Sequence, residues 1–147
     1  MMVERIDVPT AQRLLAGEGY AYLDVRSEAE FALGHPTGAF NIPLYHGPDE
    51  GAAENTGFMA VVRRSFAADQ KLVVGCRCGI ASLAAARRLA HAGYTVLELR
   101  PGFSGRKDPF GRVVEAGWQA LGLPCSMDPL PGRDYAALSG DRAAQDR

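Results

Sequence analysis

The stretch Lys71-Leu-Val-Val-Gly75-Cys76-Arg77-Cys78-Gly79-Ile80-Ala81-Ser82 ends an apolar run in a cysteine and leads through small residues into a segment rich in Ala and Leu. Leu72 to Val74 suit a buried strand and Leu83 to Ala92 suit a helix, so Cys76 to Ser82 must turn the chain between them. Such a turn aims backbone N–H groups and the positive end of a helix dipole at the cysteine sulfur. Those donors favour thiolate over thiol and raise the fraction ready to attack at neutral pH. The chemistry expected is covalent catalysis at sulfur, with Cys76 as nucleophile.

Other uses of the thiols fit less well. The pair Cys76-x-Cys78 has no second pair of Cys or His at ligand spacing, and Cys125 lies alone, so neither a metal nor an organic cofactor is expected. Three cysteines, an odd number, do not suggest a disulfide framework, and a reducing compartment would keep them available. The opening Met-Met-Val-Glu-Arg-Ile-Asp lacks the apolar stretch of a signal peptide, and no run approaches the roughly 20 apolar residues of a membrane span. A cytoplasmic protein is therefore expected. The chain has 147 residues, 47% apolar, and a net charge of -1, which fits one soluble domain and gives no general pull toward nucleic acid or membrane. Its partners must be recognised locally.

The elements that position Cys76 alternate in kind. Strands are predicted at Arg5 to Val8, Tyr20 to Val25, Gly38 to Ile42, Leu72 to Val74 and Thr95 to Leu99. Between them, Pro9-Thr10 opens a helix running through Leu15. Ser27 caps a short helix through a capping box with Glu30, with Phe31 and Leu33 as its buried face. Phe58, Val61, Val62 and Phe66 recur at helical spacing. This is an α/β pattern with a mainly parallel sheet, in which every loop that follows a strand emerges on one edge. That edge collects the Cys76 loop, Arg26 and Ser27, the segment Pro43 to Thr56, and Arg100-Pro-Gly-Phe103. Asp24 and Arg26 alternate along one strand and are expected to tie loops together, with substrate contact as the second role. His35 reads as a satisfied turn histidine, His46 and His91 as surface residues, Trp118 as a packed helix anchor, and Arg87-Arg88 as a solvated helix face. From about Pro124 the chain is rich in Pro, Gly and polar residues, and a mobile tail is expected over 125–147.

Three segments resemble the single-domain rhodaneses, or rhodanese-like sulfurtransferases. They are Asp24-Val-Arg26-Ser-Glu-Ala-Glu30-Phe31-Ala-Leu-Gly34-His35-Pro36-Thr-Gly38-Ala39-Phe-Asn41-Ile42-Pro43, Val74-Gly-Cys76-Arg-Cys78-Gly79-Ile-Ala-Ser82, and Trp118-Gln-Ala-Leu-Gly122-Leu-Pro124. The resemblance covers residues 5–124. It implies an α/β rhodanese-like fold with about five strands flanked by helices on both faces. It also implies a thiosulfate sulfurtransferase in which Cys76 takes a sulfane sulfur from thiosulfate or from a persulfide donor. The persulfide would lie against the amides of Arg77, Cys78, Gly79, Ile80, Ala81 and Ser82, and its sulfur would pass to cyanide, a thiol or a protein acceptor by ping-pong kinetics.

Two departures bear on substrate. Cysteine phosphatases place an Arg six residues after the nucleophile; position 82 here is Ser, which disfavours phosphate hydrolysis. Many rhodaneses carry Arg where this chain has Ala81, leaving Arg77 as the cation of the loop, so thiosulfate is expected to be a poor donor. An apparent insertion, residues 106–117, lies on the active edge; Arg106, Lys107 and Arg112 there outnumber Asp108 and Glu115 and are expected to form the pocket rim, with Arg100 and Arg106 in support. Cys78 stands where the family usually has a small polar residue, so it either substitutes for that residue or relays sulfur. The rival functions are a non-catalytic binding module, against which the retained Cys76 and full-length loop argue, and a persulfide carrier dedicated to one enzyme.

Overall fold

The computed structural model describes residues 3–47 and 52–140. Five parallel strands form the sheet, β1 (Glu4–Ile6), β2 (Tyr20–Asp24), β4 (Phe40–Asn41), β5 (Lys71–Gly75) and β6 (Val96–Leu99), in the order β1-β6-β5-β2-β4. A parallel sheet is covered on both faces, so its strands read as continuous apolar runs. Along β5, Leu72 and Val74 face one side and Val73 the other, and all three are fully buried. The helices α1 (Val8–Gly17) and α2 (Glu28–Leu33) send Val8, Ala11 and Phe31 to the Val73 side. On the Leu72 side lie α3 (Phe58–Ser65) and α4 (Ala81–His91), with Phe58, Val61, Val62, Ala85, Ala86 and Leu89 buried.

Local chemistry starts these elements where the residue types predict. Asp7 accepts the Thr10 N–H at 2.9 Å to cap α1, and the Ser27/Glu30 capping box is present at α2. Leu33 departs from expectation: it is 82% exposed, and Phe31 alone gives α2 its buried face. Positions two apart on a helix point to nearly opposite sides, so Phe31 and Leu33 cannot share one buried face. The third sheet strand is only Phe40–Asn41, and His35–Pro36 forms a separate short strand, β3. Trp118 is buried as expected, but in a turn rather than a helix, where its indole N–H donates to the Pro124 carbonyl.

The loose tail expected from residue 125 is not what residues 125–140 do; residues 141–147 lie outside the described residues. Cys125–Ser126 pairs antiparallel with β3. The Arg133 carbonyl accepts the Asn41 N–H at 2.9 Å, and its guanidinium donates to the Gly38 carbonyl and stacks over Phe40. This segment thereby closes the open edge of β4, whose unpaired backbone groups would otherwise face solvent. Tyr135 receives a hydrogen bond from Asn55 at 3.0 Å and packs with Leu138 against the α3 side of the core. Pro and Gly in this stretch shape turns rather than disorder it.

Candidate active site

The C-terminal ends of β2, β4, β5 and β6 converge on one edge, as a parallel sheet requires, and Cys76 follows β5 there. The loop that follows β6 locks the Cys76 loop in place: Phe103 N–H donates to the Cys76 carbonyl and Ser104 N–H to that of Arg77, both at 2.8 Å. Two glycines permit this approach. A Cβ on Gly102 would lie 2.6 Å from the Cys76 carbonyl oxygen, and one on Gly79 would lie 2.2 Å from that of Arg100, with both residues at positive φ.

The Cys76 thiol is 4% exposed and sits in a ring of hydrogen bonds. It receives the Gly79 N–H at 3.1 Å and donates to Ser82 Oγ at 3.2 Å. Ser82 Oγ donates in turn to Glu98 Oε2 at 2.5 Å. Glu98, fully buried, accepts from Arg5 Nε at 2.5 Å, and Arg5 Nη2 donates to the Gly79 carbonyl at 2.9 Å. A buried carboxylate is costly unless paired and hydrogen-bonded, and Arg5 and Ser82 supply both. Neither Arg5 nor Glu98 belongs to the expected site. The available signal was a charged residue inside the apolar run Val96-Leu97-Glu98-Leu99, beside the active edge.

The pocket above Cys76 is small, about 30 Å³, room for one or two water-sized groups, and Arg26, Arg77, Cys78, Ile80 and Ala81 help line it. Arg26 is a clamp: its Nη2 donates to Asp24 Oδ2 at 2.8 Å and to the Gly34 carbonyl at 2.6 Å, and its guanidinium lies over Phe103. Asp24 and Arg26 thus tie loops together. Arg100 makes a bidentate pair with Glu115. Residues 106–117 are a short hairpin, β7 (Arg106–Lys107) and β8 (Val113–Glu115). Arg106 and Lys107 reach a second, larger cleft beside Cys78, whereas Arg112 lies outside both. His35 is buried, with its Nδ1 bonded to the Phe31 carbonyl and its ring stacked on Phe31.

The family model described as Rhodanese-like domain matches residues 7–108. Thiosulfate sulfurtransferase 16, chloroplastic, of Arabidopsis thaliana is 35% identical over 119 residues, which cover 81% of this chain and 89% of that protein. Rhodanese-like domain-containing protein 15, chloroplastic, of the same plant is 36% identical over 99 residues, 64% of this chain; the match takes in about half, 54%, of its length. The crystal structure of Rv0390 from M. tuberculosis superposes with a TM-score of 0.68 at 25% identity, covering 86% of this chain and all of that one. The matched segment takes in β2, the Cys76 loop and β6, the elements that build the site. The chain belongs to the rhodanese-like domain family.

Proposed function

We propose that the chain is a sulfurtransferase that carries a sulfane sulfur on Cys76, from a donor such as thiosulfate to cyanide or a thiol. One observation carries the reading most directly: the hydrogen-bond chain from the Cys76 thiol through Ser82 to the buried Glu98. Each donor in it points away from the sulfur, so the thiol proton has a path to a carboxylate, leaving a thiolate faced by the Ser82 hydroxyl and the Gly79 N–H. The thiolate attacks the outer sulfur of thiosulfate, the S–S bond breaks, and sulfite leaves with the electron pair. The resulting persulfide carries one negative charge beside the loop amides of residues 77–82. Cyanide then attacks the outer sulfur, thiocyanate leaves, and the Cys76 thiolate is restored. Names of relatives such as thiosulfate sulfurtransferase support the reaction class.

The test is the intact mass of wild type and Cys76→Ser after incubation with thiosulfate and again after cyanide. The expected result is a gain of one sulfur atom that cyanide removes and the variant never shows. Loading only from a protein persulfide would make the chain a dedicated carrier. Loading from no donor would make it a binding module.

A further inference from the structure

Cys78 stands in the wall between two cavities. One is the small pocket over Cys76; the other, about 540 Å³, opens on the far side of the loop toward the 106–117 hairpin. Arg5, Arg77, Arg106 and Lys107 line the larger cleft, against the single carboxylate of Asp108. Asp108 is engaged by the Phe110 and Arg112 N–H groups, which close its own turn. Arg5 is matched by Glu98, and Arg106 shares Glu115 with Arg100. Arg77 and Lys107 have no carboxylate partner among the described residues. The whole chain carries a net charge of -1, so this surplus of positive charge is local to the cleft. Its volume is that of a small-molecule site, far larger than the pocket over Cys76.

We propose that this cleft is the site of the sulfur acceptor, a low-molecular-weight thiol bearing two or more carboxylates, and that Cys78 hands the sulfur across the loop to it. The inference rests on the reading of Cys76 as the residue that first takes the sulfur. The Cys78 thiolate attacks the outer sulfur of the Cys76 persulfide, the bond from that sulfur to Cys76 Sγ breaks, and Cys76 leaves as thiolate, taking the proton that Cys78 gave up. In the cleft the acceptor thiolate attacks the same sulfur, which leaves on the acceptor as a persulfide while Cys78 regains a proton. The outer sulfur keeps its oxidation level throughout, and no further reactant is consumed. The division of labour follows from charge and room: the larger cleft has space for a thiol with several carbons, and Arg77 and Lys107 there have no carboxylate partner among the described residues.

Two measurements test this. Cys76→Ser protein is titrated with mercaptosuccinate and, separately, with neutral 2-mercaptoethanol, following backbone amide resonances. Mercaptosuccinate is expected to shift residues 77–80 and 104–108, with an affinity that falls about fivefold or more in Lys107→Glu and with added salt. No shift there, or equal shifts from the neutral thiol, would overturn the site. Trypsin cuts after Arg77 and so separates the two cysteines; after sulfur loading and alkylation, the extra sulfur is expected on both peptides. Cys78→Ser should confine it to the Cys76 peptide and lower the ratio of kcat/KM for mercaptosuccinate over cyanide about tenfold. Sulfur on the Cys76 peptide alone in wild type, with an unchanged ratio in the variant, would overturn the relay. Absence of sulfur on either cysteine would instead count against the sulfurtransferase reading, while the titration still decides the cleft.

Discussion

The proton of Cys76 has somewhere to go. Thiol, hydroxyl and carboxylate lie in line, and the carboxylate is held by Arg5, which also holds the carbonyl of the residue whose N–H faces the sulfur. Sulfur loading of Cys76 from thiosulfate at pH 7 should slow by about tenfold or more in Glu98→Gln, which keeps the shape but not the base. Equal loading rates in the two proteins would remove Glu98 from this role. Ser82→Ala interrupts the line while leaving the Arg5–Glu98 pair; it should slow loading as Glu98→Gln does, at a stability cost on the order of 1–3 kcal/mol because the buried carboxylate loses a donor.

At the scale of the element, the loops after β5 and β6 are one unit, zipped by the Phe103 and Ser104 N–H groups and admitted by Gly79 and Gly102. Gly79→Ala meets the Arg100 carbonyl at 2.2 Å and a positive φ at once. A cost on the order of 1–3 kcal/mol is expected in urea unfolding, with loss of sulfur loading. The 106–117 hairpin is pinned by Glu115, whose carboxyl is held below its usual range, chiefly by the hydrogen bonds from Arg100. A carboxyl lowered in the folded state adds stability above its unfolded pKa and loses it as pH falls through the folded value. Both partners are partly exposed, so the pair is worth about 0–1 kcal/mol. The advantage of wild type over Glu115→Gln, present at pH 7, should close as pH falls below about 4 in thermal unfolding.

The whole molecule depends on its last described segment more than composition suggests. Removing residues 125–147 deletes the β3 partner, the Arg133 cover of β4 and the Tyr135 contact with Asn55. At about 1 kcal/mol for each lost buried hydrogen bond, the truncated chain should melt roughly 5–10 °C lower. An unchanged Tm would show that the segment rests on the fold without supporting it.

Much was legible without the structure because it is encoded locally. Apolar runs, the Ser27 capping box and the strand-to-helix turn at Cys76 set the element order, and a parallel sheet with helical crossovers leaves one edge for the loops. Cys76, its loop and the Asp24–Arg26 clamp follow from that order. Leu33, the segment 125–140 and the Arg5–Glu98–Ser82 line were not legible. The first was set against the helix period, and for the second an extended Pro- and Gly-rich stretch looks the same in sequence whether it packs or drifts. The third joins residues 93 and 16 positions apart, whose contact exists only once β1 pairs with β6 and α4 packs over it. By itself the sequence determined which atom is the candidate nucleophile, because a cysteine and its turn are written in consecutive residues. Which groups its thiol bonds, and which charges line the neighbouring cleft, only the tertiary structure decided, since hydrogen bonds and clefts between distant elements are properties of packing.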